Sequence, residues 1–221
     1  MPIPEFVADL RAKIGPEHPL WLAGSTAVII RPSVDARGSS GARVEGGGPA
    51  ALGEEVLLVR RADNAVWSPV TGIVDPGEHP ATAAVRESLE EAMVEVRVDR
   101  LVRLSVSPKI VHATGDRAQY CDLVFRCSWI SGDAAVGDDE STEVAWFPVD
   151  ALPDMPEHLA SRIAVAVADR PEYELLVDGV ALPIVGPGAG RGPGPGQGPG
   201  VGHGHGAGSW AETETDADPG L

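Results

Sequence analysis

The sequence predicts an α/β domain followed by a disordered tail, and three observations predict it. Segments of alternating apolar residues, which read as strands, are interspersed with helices of clear 3.6-residue apolar spacing. The 43 % hydrophobic fraction of the 221 residues is that of an ordinary globular protein. After about Val185 the composition changes abruptly: Gly186 to Gly208 is almost entirely Gly and Pro, and an acidic end (AETETDADPG) follows. The expected domain therefore covers residues 1–185. Residues 186–221 form a tail that cannot bury enough apolar surface to offset chain entropy. Within it, His203 and His205 are a weak metal candidate, because their neighbours are glycines and no further ligand accompanies them.

Pro4 to Ile14 reads as a short amphipathic helix with Phe6, Leu10 and Ile14 at helical spacing. Ser25 to Arg31 and Glu55 to Arg60 read as strands, joined by a flexible Gly-, Ala- and Ser-rich loop from Ser33 to Gly53. Val66 to Val74 reads as a turn and a short strand carrying Trp67 and Pro69. Pro80 to Met93 is the clearest helix: Pro suits a first helical position, where its missing N–H is not needed. Val94 to Val106 and Gln119 to Ile130 alternate like strands, Ala145 to Pro148 is a short one, and Glu157 to Asp169 is a second long helix with Leu159, Ile163 and Val167 on one face.

The formal net charge is −16. Such a balance repels nucleic-acid backbone and anionic membrane, which argues against a polymer- or membrane-binding role. A phosphorylated small molecule would be repelled too, unless a cation lies between it and the protein. The two cysteines, Cys121 and Cys127, fall on one expected strand, roughly 20 Å apart at about 3.3 Å per residue, too far for a disulfide. Together with an N-terminus that shows no basic-then-apolar signal, this predicts a cytoplasmic setting.

The segment from Gly72 to Val94, GIVDPGEHPATAAVRESLEEAMV, carries the chemistry. In its helix, Ala81, Ala84, Val85, Leu89, Ala92 and Met93 predict the core-facing side. Glu87, Glu90 and Glu91 then share a face opposite the core. Like charges at such spacings cost about 0.2–0.5 kcal/mol per pair, and the helix C-terminal half disfavours negative charge. A divalent cation relieves both, because hard cations take carboxylate oxygens. Exposed Glu-Glu pairs also occur on helices that only face solvent, so the helix alone leaves that alternative open.

These residues closely resemble the Nudix box, G-x5-E-x7-R-E-U-x-E-E-x-G-U with U apolar: Gly72, Glu78, Arg86, Glu87, Glu90, Glu91 and Val94 fall at its positions. Ser88 stands where an apolar residue is usual and Met93 where Gly is usual; both are expected off the carboxylate face. The preceding WSPVTG and the later AWFPVDALP also look like the family's sequences. The resemblance implies a Nudix fold, a mixed sheet sandwiched between helices. It implies hydrolysis of a diphosphate linkage in a nucleoside diphosphate joined to another group, such as ADP-ribose, a dinucleotide or a nucleoside triphosphate. It implies Mg2+ or Mn2+ held by Glu87, Glu90, Glu91 and the Gly72 carbonyl, with Arg86 holding Glu78 and Glu87 in place. Its relatives are often dimers, which makes a homodimer the candidate assembly.

The general base varies in the family: a box glutamate such as Glu87 or Glu90, or a carboxylate of a later loop. In GDDESTE the favoured residues are Glu143, then Glu140, since they directly precede Trp146; Asp138 and Asp139 are neighbours. Arg60, Arg61, Trp67 and Tyr120 are candidate substrate contacts, each balanced by a plain structural role. The competing function is a Nudix-like sensor that binds nucleotides without hydrolysing them. Retention of the box carboxylates argues against it. An isomerase on the same fold would need a catalytic cysteine in a setting that Cys121 and Cys127 do not show.

Overall fold

A computed structural model of the chain describes residues 4–33, 53–112, 115–177 and 179–182. The expected loop over residues 34–52 and the tail over 186–221, with His203 and His205, lie outside the described residues. Among the described residues ten strands form one mixed sheet. Its axis is β1 (Leu20–Pro32), whose apolar run extends the expected strand backwards from Ser25. Along one edge β1 runs parallel to β7 (Arg117–Ser131). Its other edge is shared: β4 (Val70–Ile73) pairs antiparallel with Gly24 to Ala27, and β2 (Glu54–Arg61) takes over at Ile30 to Pro32. β2 also pairs with β3 (Trp67–Ser68) and β8 (Ser141–Pro148). Beyond β7 lie β5 (Glu95–Val106), β6 (Ile110–Val111) and a hairpin of β9 (Glu174–Val177) and β10 (Val180–Leu182) that the sequence reading did not find.

Strand alternation sends successive side chains to opposite faces. Ala27 and Ile29 of β1, with Leu57, Val59 and Phe125, pack beneath α2 (Pro80–Ala92). Val28 and Ile30, with Val56, Leu58 and Val124, pack beneath α3 (Glu157–Ala168), where Ile163 and Ala166 close the cluster. α1 (Glu5–Ile14) covers Leu20, Leu22 and Tyr120 through Val7. Leu10 and Ile14, expected on its buried face, are exposed. The sheet thus lies between helices, as the resemblance implies. Among the described residues no helix is long and apolar enough to cross a membrane.

The orientation of α2 corrects the sequence reading. Val85, Leu89 and Met93 are 38, 50 and 49 % exposed rather than core-facing. The buried residues are Ala83, Ala84, Ser88, Glu91 and Ala92. Small side chains let this helix sit close on the sheet, and close packing outweighs burial of the larger apolar side chains at its flank. The carboxylates are therefore not opposite the core. Ser88 lies on the buried face itself, where its hydroxyl donates to the Ala84 carbonyl at 2.6 Å and so leaves no polar group unsatisfied. Met93 closes the helix in the left-handed region at φ 58°, which explains why a glycine suits this position.

Candidate active site

The cleft opens past the end of β4, where the β4–α2 connection, α2, the β7–β8 connection and α1 meet in a volume of about 400 Å³. His79 starts α2 by accepting the Ala81 N–H on its ring nitrogen, and Pro80 follows. Nearly two turns later Arg86 organises the acids around it. It makes two parallel hydrogen bonds to Glu78, each 3.0 Å, and donates to Glu87 at 2.7 Å, Glu90 at 3.0 Å and the Ile73 carbonyl at 3.3 Å. Fork-to-carboxylate pairing of this kind fixes geometry as well as charge. The Arg86 hydrogen bond, the largest influence, holds the Glu78 carboxyl below its ordinary range.

Gly72 makes room for the next acid. A Cβ at Gly72 would lie 1.9 Å from a carboxylate oxygen of Glu87. Only glycine lets the Glu87 side chain fold against β4. In Gly72→Ala the flexible carboxylate, not the backbone, has to give way. We expect the variant to keep its thermal midpoint within a few degrees while losing most of the hydrolytic activity that the resemblance implies, and parallel calorimetry and turnover assays check this pair of outcomes.

Glu91 is 4 % exposed. Burial, and then repulsion from Glu87, Glu140 and Asp138, pushes its carboxyl well above the ordinary value. Burial likewise pushes Glu87 up to about 7, against the opposing pull of Arg86. Glu90 is exposed at the cleft edge.

The second acidic group comes from the β7–β8 connection, which lies along the last turn of α2. The N–H groups of Ala135 and Gly137 donate to the carbonyls of Ala92 and Glu91 at 3.2 and 3.1 Å, satisfying carbonyls that a helix end leaves free. Gly137 is required there, since a Cβ would sit 2.0 Å from the Glu90 carbonyl oxygen. This contact carries Asp138 and Glu140 to the cleft. The Glu140 backbone is then fixed by its N–H to Asp138 at 2.9 Å and by the Ala62 N–H donating to its carbonyl at 2.8 Å. Burial, then Asp138, raises the Glu140 carboxyl.

Glu143 lies elsewhere. β8 begins at Ser141, so Glu143 belongs to the ladder rather than the loop, directly opposite Arg60, with which it forms an ion pair. Arg60 and Arg61 are neighbours on a strand and point to opposite faces. Arg61 is the buried one; it is held by Asp63 at 2.8 Å, and its charge acts on both Glu91 and Glu140. Trp67 packs edge-to-face on Phe147 at 5.0 Å on the α3 side of the sheet. Tyr120 is buried under α1, with its hydroxyl 3.0 Å from His112. Neither lines the cleft. Cys121 and Cys127 are free thiols, the second fully buried, and burial raises both. Gly137 and Phe6 are the site elements that the sequence reading did not single out. A glycine directly before an acidic run was the available signal for the first.

The donor set fits a hard divalent cation. Glu91 is a buried carboxylate that no hydrogen bond or ion pair reaches among the described residues, and Glu87, Glu140 and Asp138 crowd it with like charge. Among the described residues no three His, Cys, Asp or Glu side chains are grouped to hold a metal ion as they stand, so a cation here would draw on fewer protein ligands. An open set is the kind magnesium uses, since it keeps several waters and takes one or two carboxylates plus substrate phosphate oxygens.

The NUDIX domain family matches residues 48–168, more than half of the chain, and the chain belongs to that family. A MutT-like protein of Streptomyces ambofaciens is 33% identical over 114 residues, covering 52% of this chain and 66% of the relative. The NAD-capped RNA hydrolase NudC of Pseudomonas fluorescens is 32% identical over 106 residues, covering 47% of this chain and 36% of the relative. The chain thus spans just under two thirds of the first relative's length and about a third of the second's. A solved NUDIX hydrolase from Nitrosomonas europaea aligns with a TM-score of 0.48 at 19% identity, over 72% of this chain and 80% of that one.

Proposed function

We propose that this protein is a metal-dependent Nudix pyrophosphohydrolase acting on a nucleoside diphosphate joined to a further group, with its hydrolase domain in residues 1–185. The observation that carries the reading is the buried Glu91 carboxylate, in no ion pair among the described residues and crowded by Glu87 and Glu140, which themselves line the cleft. Glu87, Glu90, Glu91 and the Gly72 carbonyl would hold Mg2+ or Mn2+, with Asp138 and Glu140 beside them. When bound, the cation polarises a phosphoryl oxygen and makes water a stronger nucleophile. Arg86 keeps Glu87 and Glu90 oriented, and Glu78 keeps Arg86 oriented in turn. Glu140 takes the proton of the attacking water; its raised carboxyl and its fixed backbone suit a general base better than Glu143, which is already paired with Arg60. The new bond joins the water oxygen to one phosphorus, the bridging P–O bond breaks, and two phosphorylated products leave.

The experiment is a panel of ADP-ribose, NADH and nucleoside triphosphates incubated with purified full-length protein and Mg2+, with product identification. Hydrolysis of at least one, abolished by EDTA and restored by excess Mg2+ or Mn2+, is the expected result. Tight nucleotide binding without turnover across the panel would instead establish the sensor.

A further inference from the structure

We infer that Phe6 carries the aromatic base of the substrate, so that the cleft selects nucleotides over base-free phosphoanhydrides; this rests on the hydrolase reading above. α1 lies before the matched domain residues, yet it builds one wall of the cleft. The cleft lining differs by element. α2 and the β7–β8 connection contribute Glu87, Glu90, Asp138 and Glu140. The start of α1, the end of β4 and the β4–α2 connection contribute Pro4, Phe6, Ile73 and Pro76, with the carboxylates of Glu5 and Asp75. Arg86 is the only cation among the described lining residues, and three carboxylates already engage it. A phosphate is therefore accommodated on the α2 side, across a bound cation. On the α1 side a further phosphate would meet apolar side chains, Glu5 and Asp75, with no counter-charge among the described residues. An aromatic base fits there.

Phe6 is suited to that contact. It is half-buried, with part of its ring packed in the cluster of Val7, Ile73 and Ile110 and part lining the cleft. A ring with two rotatable bonds loses little freedom when it stacks. α1 is also held in place: Arg11 forms an ion pair with Asp116 at 2.8 Å and donates to the carbonyls of Arg117 and His18, each at 2.6 Å. The volume of about 400 Å³ falls within the usual range of small-molecule sites.

The test compares wild type with Phe6→Ala, Phe6→Leu and Phe6→Trp in the full chain with Mg2+. It measures kcat and KM for ADP-ribose and NADH, their Kd by calorimetry, and the Ki of inorganic pyrophosphate as a base-free competitor. Phe6→Leu keeps the apolar packing and removes the flat ring, so it reports stacking even if Phe6→Ala folds poorly. The expected result is an increase of about 10-fold in KM and Kd for the nucleotide in Phe6→Leu, equal to about 1.4 kcal/mol. The Ki of pyrophosphate stays unchanged, kcat stays within about 3-fold, and Phe6→Trp restores KM. Unchanged nucleotide affinity in Phe6→Leu, or an equal loss for pyrophosphate, overturns the assignment. Weakened nucleotide binding in a protein whose wild type shows no turnover would sink the hydrolase reading and keep Phe6 as the base contact. No nucleotide binding by wild type would sink both.

Discussion

Glu91→Gln is expected to lower turnover about 100-fold or more while raising the thermal midpoint of the metal-free protein. The two effects share a cause. Glu91 is a buried carboxylate in no ion pair among the described residues, crowded by Glu87, Glu140 and Asp138, and the charge of Arg61 offsets only part of that repulsion. Holding a charge there costs stability, and the neutral amide removes that cost at nearly constant volume. A cation at this site supplies several kcal/mol of transition-state stabilisation, and losing about 3 kcal/mol of it is a factor of about 100 in rate. Steady-state kinetics and calorimetry with EDTA read the two signs side by side. A variant that loses both activity and stability would show that Glu91 is a structural residue. Glu140→Gln should also lose turnover, by about 100-fold or more if it is the base, whereas Glu143→Gln should leave kcat within a few-fold.

Asp122→Ala is expected to destabilise the fold by about 3–5 kcal/mol, a large part of the 5–15 kcal/mol typical of a domain. Asp122, on β7, is 2 % exposed; it accepts a hydrogen bond from the Thr26 hydroxyl at 2.9 Å and lies 3.0 Å from the guanidinium of Arg162 on α3. One further Arg162 nitrogen, Nη1, is buried without a hydrogen-bond partner. Removing Asp122 leaves the Arg162 charge beneath α3 with nothing to balance it. At roughly 2–4 °C per kcal/mol for a chain of this size, the midpoint should fall by about 10 °C. The double variant Asp122→Ala/Arg162→Met should recover most of the loss, because it removes both charges together. A drop below about 1 kcal/mol for the single variant would mean that water reaches the pair.

Much of this was legible in the sequence, and the remainder failed for identifiable reasons. Pro80 and the spacing of Glu78, Arg86, Glu87, Glu90 and Glu91 marked the helix and the acids that meet at its edge. Helical spacing alone did not reveal which face of α2 packs. Val85, Leu89 and Met93 recur at the period of a core face, but Ala83, Ala84, Ser88 and Ala92 permit closer contact with the sheet. Glu143 was favoured for its place just before Trp146 and was read as loop because β8 was taken to start at Ala145, whereas it begins at Ser141. A shift of a few residues at a strand end decides whether a side chain belongs to a loop or a ladder. The burial of Arg61 and the docking of residues 135–137 on α2 depend on contacts between segments far apart in the chain, which local pattern does not encode.

The central claim is that the α2 carboxylates hold a divalent cation, and titration of Mn2+ into the purified full chain, followed by electron paramagnetic resonance, tests it without relying on any substrate. Wild type should bind Mn2+, and Glu91→Gln and Glu87→Gln should each weaken binding by about 10–100-fold, with Mg2+ competing for the same site. Equal Mn2+ affinity in wild type and both variants would contradict the account.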